Sequence, residues 1–197
     1  MLPPLILAST SRYRHELLQR LRLPFTVVAP DCDETAMAGE LPLDLARRLS
    51  LLKARTVGQA HPNAVVIGSD QVAELDGDAI GKPGDHVRAT AQLRRLSGRD
   101  VLFHTGVAVV HASAGFERVA VEHVRVRFRH LNDAEIERYL RLEQPYDCAG
   151  SAKCETLGIT LLEAIESDDP TTLIGLPLIR TAQFLREAGI DPLVAAV

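Results

Sequence analysis

Short apolar runs alternate along the first half of the chain with stretches in which apolar residues recur every three or four positions. Two of the runs are typical of buried strands, at residues 5–8 and 64–69. Three of the stretches predict helices with one apolar face, at residues 9–21, 43–59 and 85–96. Asp85 is the expected N-cap of the third helix. The Asp76-Gly77 pair predicts a hairpin turn within residues 72–81.

The second half predicts a long strand pair, two helices and one further strand. The paired strands are expected at residues 101–112 and 116–131, because apolar and charged residues alternate through most of the second one. Asn132 caps a predicted helix over 132–142, with Glu135 at the capping-box position. A strand at 158–165 and a helix at 175–189, with Gly189 as its C-cap, complete the order. This order predicts an α/β fold with a mixed central sheet and flanking helices.

The composition narrows the class of function. The chain has 197 residues, 46% of them hydrophobic, which suits one domain with a sizeable core. The formal net charge is −4, so broad electrostatic binding to nucleic acid or to an anionic membrane is not expected. Aromatic residues make up only 4% and tryptophan is absent, which argues against a surface that stacks single-stranded bases. An anionic ligand therefore needs a local cluster of cations.

The apolar runs are too short for a membrane span, which needs roughly 18 residues or more. The first run is not preceded by the basic residues of a signal peptide. We therefore expect a cytoplasmic protein in which Cys32, Cys148 and Cys154 stay reduced. A zinc or disulfide site at Cys148 and Cys154 is disfavoured, because five residues separate them and no further ligands are evident.

The turn after the first strand carries hydroxyl groups and a cation. Ser9, Thr10 and Ser11 are N-cap candidates, and Arg14 stands where a capping box has a carboxylate. A helix N-terminus attracts anions, and a neighbouring arginine strengthens that attraction. An ordinary serine cap beside a solvated arginine is the alternative from these residues alone.

Two further positions combine charge with expected burial. Lys53 shares one helical face with Leu49 and Val57, so its amine is expected on the inner side of the helix, unless the side chain extends to the surface. Asp70 and Gln71 directly follow the run at 64–69. Ligands and catalytic groups collect at the carboxyl ends of strands in α/β sheets. A turn or capping role is the alternative for Asp70.

Glu34 in "CDETAM" and Lys82 in "IGKPGD" complete the candidate set. Each is a weak signal alone, because loop acids and lysines are usually solvated. Together, Arg14, Lys53 and Lys82 suit a polyphosphate, while Glu34 and Asp70 suit a divalent metal or an attacking water. The P-loop pattern is absent, so a nucleotide site here would have another design.

Seven motifs occur in one order between residues 5 and 179: "LILASTS" with Arg14, "DET", "KA", "IGSDQV", "GKP", "HTG" and "GLPLI". As a set they resemble the Maf family of nucleoside triphosphate pyrophosphatases. The resemblance implies one domain over residues 1–197, with two lobes, a cleft between them, and a relation to the inosine triphosphatase class. It also implies hydrolysis between the α and β phosphates with a divalent cation such as Mg²⁺ or Mn²⁺, and a homodimer.

The resemblance assigns roles to individual positions. Asp70 corresponds to the proton acceptor, and Asp70 and Glu34 are the expected metal ligands. The charged and phosphate-binding positions correspond to Ser9, Ser11, Arg14, Glu34, Lys53 and Lys82. The family usually has proline after "STS", where this chain has Arg12; proline is preorganised for that position but not required.

The segment "CAGSAKCE" resembles the branch of the family that acts on 7-methyl-GTP, and the expected specificity positions are Tyr13, Gln71 and Glu155. A 7-methylated guanine carries a positive charge, which the face of Tyr13 attracts. The Glu155 carboxylate can accept hydrogen bonds from the guanine edge. Two alternatives stay open: a pyrophosphatase for unmodified nucleotides such as dTTP or UTP, and a nucleotide-binding regulator of cell division.

Overall fold

A seven-stranded sheet runs through the centre of the computed structural model, which describes residues 2–195. Its strands in chain order are β1 (Leu5–Ala8), β2 (Thr26–Val27), β3 (Val65–Leu75), β4 (Asp78–Ile80), β5 (Asp100–His111), β6 (Phe116–Phe128) and β7 (Leu162–Glu166). They lie in the order β2-β1-β3-β5-β6-β7, with β4 paired to β3. β1 runs parallel to β2 and β3, and the other pairs are antiparallel. The predicted α/β class with a mixed central sheet is confirmed.

Six α-helices are described: α1 (Arg12–Gln19), α2 (Pro42–Ala60), α3 (His86–Leu96), α4 (Asp133–Glu143), α5 (Leu178–Glu187) and α6 (Pro192–Ala195). The N-termini of α3 and α4 are capped as the sequence predicts. Asp85 caps α3 by accepting from the Arg88 amide, and Asn132 and Glu135 form the complete capping box of α4. Within residues 2–195, no helix combines the length and apolar content that a membrane crossing requires.

Helices cover both faces of the sheet. On one face, α2 packs against the inward residues of β1, β3 and β5. On the other face the buried apolar residues form two large clusters. One gathers α1 and α5 over β1, β3 and the end of β5. The other gathers α3 and α4 over the end of β3, the start of β5 and the end of β6. The two-lobed single domain stays a prediction, and the ends of its range, residue 1 and residues 196–197, lie outside the described part.

Two predicted strands differ from the sequence-based expectation, and β2 and α6 were not predicted. Asp70 and Gln71 lie inside β3 rather than after its end, because antiparallel pairing with β5 holds the strand extended as far as Glu74. Residues 157–161 form a 3₁₀ helix, and β7 begins only at Leu162. Gly158 packs so tightly that a Cβ there would lie 2.4 Å from the Lys153 carbonyl oxygen, which fits a turn rather than a strand.

Candidate active site

A cavity of about 640 Å³ opens beside a gap in the sheet. β3 pairs with β1 as far as Gly68, opposite Ala8, and along the same edge it pairs with β4 only from Ala73. Residues 69–72 between these points pair with β5, and among residues 2–195 no strand pairs with them on the other side. The cavity therefore reaches the β3 backbone where polar residues interrupt its apolar sequence, and its volume lies in the range of small-molecule sites.

All of the sequence-predicted site residues line this one cavity: Ser9, Ser11, Tyr13, Arg14, Glu34, Lys53, Asp70, Gln71, Lys82 and Glu155. They come from six separate parts of the chain, which meet beside the gap in the sheet. The structure thus shows where these residues lie, while their individual roles stay predictions.

Close packing of α2 on the sheet positions Lys53. A Cβ at Gly68 would lie 2.2 Å from the Ser50 carbonyl oxygen, and one at Gly106 would lie 2.4 Å from the Ala46 carbonyl oxygen. Only residues without a side chain allow the helix backbone to approach β3 and β5 this closely. The lysine, one turn further along α2, is thereby held over Asp70.

Glu34, Lys53 and Asp70 form a compact group, the acid–lysine cluster. Lys53 Nζ donates to Asp70 Oδ1 and to Glu34 Oε2, each at 2.7 Å. The Lys53 and Asp70 side chains are 6% and 12% exposed, whereas Glu34 is 52% exposed. The amine therefore points inward as predicted, and a buried charge pair is joined to an acid that remains open to the cavity.

The hydroxyl-rich turn and Arg14 adjoin this cluster. Ser11 caps α1 by accepting from the Arg14 amide, as predicted, and Ser9 Oγ accepts from the Ser11 amide. Arg14 Nε donates to the Gly175 carbonyl at 2.9 Å. Burial lowers the pKa of Arg14, and the charges of Asp70 and Glu34 act in the opposite direction. An anion entering here meets a helix N-terminus and a partly buried guanidinium.

Gln71 and Lys82 have contrasting surroundings. The Gln71 amide nitrogen lies within 3.1 Å of Thr105 Oγ1 and of the Thr172 and Leu173 carbonyls. This side chain therefore holds the backbone of residues 172–173 against β3. Lys82 is exposed on the cavity wall, and within residues 2–195 its amine forms no hydrogen bond or ion pair. Lys82 is therefore available to a ligand, whereas the amide nitrogen of Gln71 is already hydrogen-bonded within the protein.

Tyr13, Arg12, Asp147 and Cys148 meet at another part of the wall and form the tyrosine cluster. The Tyr13 hydroxyl lies 3.0 Å from Arg12 Nη2 and 3.5 Å from Asp147 Oδ2, and Cys148 Sγ approaches it at 3.8 Å. Burial raises the pKa of Tyr13, so its hydroxyl stays protonated. Glu155 lines the same cavity as an exposed acid.

Cys148, which lines the cavity, and Cys154 of the same segment are free thiols. Burial, followed by the charge of the adjacent acid, raises the pKa of Cys148 and of Cys154 to about 12. A thiol that resists ionisation is a poor metal ligand and a poor nucleophile. We interpret both as small, half-buried packing residues, of which Cys148 lines the cavity.

Sequence reasoning missed two residues of the site. The Gly175 carbonyl accepts from both Arg14 and Ser69, and so joins the start of the "GLPLI" motif to the polar turn. Asp147 directly precedes the segment "CAGSAKCE", and no spacing rule pointed to it. The hydrogen bond from the Tyr13 hydroxyl spans 134 positions of sequence and becomes visible only in the fold.

The donor set fits a divalent cation bound together with a phosphate ligand. Glu34 and Asp70 offer carboxylate oxygens to one cavity. Among residues 2–195, no three His, Cys, Asp or Glu side chains are grouped for a metal. Magnesium commonly takes one or two carboxylates and completes its shell with water and substrate phosphates, so two acids suffice.

Comparison with known sequences decides the family. The sequence model of the family described as "Maf-like protein" matches residues 4–188. The chain belongs to the Maf family. It is 60% identical over 191 residues to a protein named 7-methyl-GTP pyrophosphatase from Albidiferax ferrireducens, which covers 97% of this chain and 96% of that one.

Two other relatives with the same name are similarly close. The Polaromonas sp. protein is 62% identical over 187 residues, covering 95% of this chain and 85% of its own. The Bordetella parapertussis protein is 59% identical over 192 residues, with 97% and 95% covered. Among solved structures, a HAM1 protein from Coxiella burnetii has a TM-score of 0.45 and 17% identity, over 64% of this chain and 73% of that one. That likeness is too low to support an inference, so the relation to the inosine triphosphatase class stays a prediction.

Proposed function

We propose that this Maf-family chain hydrolyses 7-methyl-GTP to 7-methyl-GMP and diphosphate, a house-cleaning activity against a modified nucleotide. The observation that carries the proposal is the lining of one cavity: a buried lysine between two carboxylates, an arginine beside a helix N-terminus, and a tyrosine with acids near it. The names of the relatives from Albidiferax, Polaromonas and Bordetella support it.

The acid–lysine cluster suits the attack of water. A water oxygen bonds to the α phosphorus, and the water gives its proton to the Asp70 carboxylate. The bond from that phosphorus to the α–β bridging oxygen breaks in line, and the diphosphate leaves with the bonding electrons. Lys53, 2.7 Å from both carboxylates, keeps Asp70 oriented and adds positive charge near the reacting group.

The phosphate chain is bound by the remaining cations and hydroxyls. Ser9, Ser11 and the first turn of α1 offer hydrogen bonds, and Arg14 offers a guanidinium fixed by Gly175. Lys82, free on the wall, suits the charge that develops on the leaving diphosphate. In this arrangement the acids act on the attacking water, and the cations bind the phosphates.

Glu34 and Asp70 would hold a divalent cation, and neither is committed to a structural metal within residues 2–195. When bound, such an ion neutralises phosphate charge and lowers the pKa of water. Glu34 is the more exposed of the two acids, so it can turn towards an arriving ion without unburying Asp70.

We assign the selection of the base to Tyr13 and Glu155, and Gln71 lines the same cavity. The face of Tyr13 attracts a cationic ring. The exposed Glu155 carboxylate accepts hydrogen bonds from the guanine N1–H and amino group and complements the ring charge. Uracil and thymine are neutral and lack that pair of donors, so they gain less from the same wall.

A nucleotide panel tests the proposal. Purified protein is assayed for diphosphate release from 7-methyl-GTP, GTP, UTP and dTTP, with Mg²⁺ or Mn²⁺ and with a chelator. We expect 7-methyl-GTP to have the highest kcat/KM and the chelator to abolish turnover. Nucleotide binding without turnover would favour the regulatory alternative, and a preference for UTP or dTTP would favour the other enzyme. Light scattering during size exclusion tests the proposed homodimer.

Asp70→Asn separates the proposed chemistry from binding. Loss of the proton acceptor should lower kcat by roughly two orders of magnitude or more while KM changes little. Asp168→Asn is the matched control, because Asp168 is exposed and does not line the cavity. Near-normal turnover by Asp70→Asn would remove Asp70 from the mechanism.

A further inference from the structure

We propose that Asp147 is a further specificity-determining residue, and that Tyr13 and Asp147 together form a site for a planar cation. In the free protein that cation is the guanidinium of Arg12, and in the complex it is the methylated base. This inference rests on the proposed function and adds two residues, Asp147 and Arg12, to the selection of the base.

The exposed Arg12 side chain lies against the ring of Tyr13. Its Cζ atom lies 4.8 Å from the ring centroid, within the range of cation–π attraction, and Nη2 donates to the hydroxyl at 3.0 Å. The hydrogen bond to Tyr13 raises the pKa of Arg12, and the charge of Asp147 adds to the rise. The wall of the cavity thus already binds a planar cation.

Asp147 supplies the negative charge of this arrangement. Its Oδ2 atom lies 3.5 Å from the Tyr13 hydroxyl, which can donate to it while accepting from Arg12. Asp147 is exposed and lines the cavity together with Tyr13 and Glu155. The ring face, the hydroxyl and two carboxylates therefore border the same space.

A guanidinium and a 7-methylguanine share the features that such a site recognises. Both are planar, both carry a delocalised positive charge, and both present N–H donors along an edge. Unmodified guanine has a similar edge but no charge, so the carboxylate of Asp147 should favour the methylated base over the unmodified one. Because two cations cannot share one ring face, a base that stacks on the face covered by Arg12 must displace the guanidinium.

Calorimetric titration with 7-methyl-GMP and with GMP, alongside kcat and KM for 7-methyl-GTP and GTP, tests this inference. Asp147→Asn should weaken 7-methyl-GMP binding by about threefold to tenfold and GMP binding by less than about twofold. Arg12→Ala should tighten 7-methyl-GMP binding by about twofold to fivefold, because the competing cation is gone. Asp168→Asn and Arg138→Ala are the controls, because they change the charge by the same amounts at exposed positions outside the cavity. Neither control should change the binding of 7-methyl-GMP or GMP.

Each contrary result has a distinct meaning. Equal weakening of both nucleotides by Asp147→Asn, or no weakening, would overturn the specificity role. Weaker 7-methyl-GMP binding by Arg12→Ala would make Arg12 a contact to the base and overturn the competition. Equal affinity of the wild type for 7-methyl-GMP and GMP would overturn the cation site itself. Tight 7-methyl-GMP binding without hydrolysis of 7-methyl-GTP would instead refute the proposed function and leave the cation site standing.

Discussion

The Gly68→Ala substitution inserts one methyl group between β3 and α2. The added Cβ would lie 2.2 Å from the Ser50 carbonyl oxygen and 2.6 Å from the Ala54 amide nitrogen. Both are backbone atoms of α2, so no side-chain rotation relieves the contact. Since nonbonded heavy atoms are most favourable at roughly 3.5 Å, the helix must move outward by roughly 1 Å.

Two consequences follow from that movement. Overpacking of a tight interface typically costs about 1–3 kcal/mol, and a clash with helix backbone belongs at the upper end, so we expect a loss of about 3 kcal/mol. In a chain of this size that loss lowers Tm by roughly 6–12 °C. The same shift draws Lys53 away from Asp70, and a misplacement of about 1 Å can reduce kcat by roughly 10- to 100-fold.

Urea unfolding and initial rates of diphosphate release measure the two effects. Gly58→Ala is the matched control on the same helix, because its Cβ would meet Val110 Cγ1 at 3.4 Å, an ordinary contact. Alanine also favours the helix over glycine, so that variant should be unchanged or stabilised by up to about 1 kcal/mol. A Gly68→Ala protein as stable as the wild type would refute the packing argument. Lost stability with an unchanged kcat would refute the link between helix packing and the acid–lysine cluster.

Three other perturbations give sharp expectations. In Lys53→Met, kcat for 7-methyl-GTP should fall by roughly 100-fold or more, because Asp70 loses the cation that orients it; a near-normal kcat would contradict this. Glu155→Gln should weaken turnover of 7-methyl-GTP and leave UTP or dTTP turnover unaffected or improved, and an equal loss with every nucleotide would make Glu155 structural. Hydrogen bonds from Arg48, and then from a backbone amide, lower the pKa of Glu40 from 4.5 to about 2. That carboxylate therefore stabilises the fold above its unfolded pKa and loses its contribution as pH falls towards 2, so the difference in unfolding free energy between wild type and Glu40→Gln should shrink over that range. A difference independent of pH would exclude this linkage.

Local patterns predicted the elements that local chemistry determines. The spacing of Leu49, Lys53 and Val57 predicted one shared helical face, and the structure places all three on the buried side of α2. The spacing left open whether the lysine amine would extend to the surface, and the structure shows that it points inward. The pair Asn132 and Glu135 indicated a capping box, which is complete. In such cases the residues that decide the conformation lie within one or two helical turns of each other.

Contacts between distant segments account for what the sequence did not predict. Nothing in "SDQ" indicates that β3 continues through Asp70, because the pairing with Gly106 of β5 decides it. The tight approach at Gly68 depends on the backbone of Ser50 and Ala54 in the preceding helix, and the contact of Asp147 depends on Tyr13, 134 positions earlier in the sequence. These features arise from tertiary packing, for which spacing along the chain carries no signal.

The polar interruption of β3 explains why the site lies where it does. Ser69 and Gln71 face the side of the sheet on which the two large apolar clusters lie, and they fall between those clusters. Apolar residues there would join the clusters into one continuous core, whereas Ser69 and Gln71 instead bind the 172–175 segment through its backbone carbonyls. Asp70, between them, faces the opposite side and meets Lys53. These three polar residues in an otherwise apolar strand thus keep a cavity open at the edge of β3 and point a carboxylate into it. Such departures from the local sequence pattern are expected at functional sites.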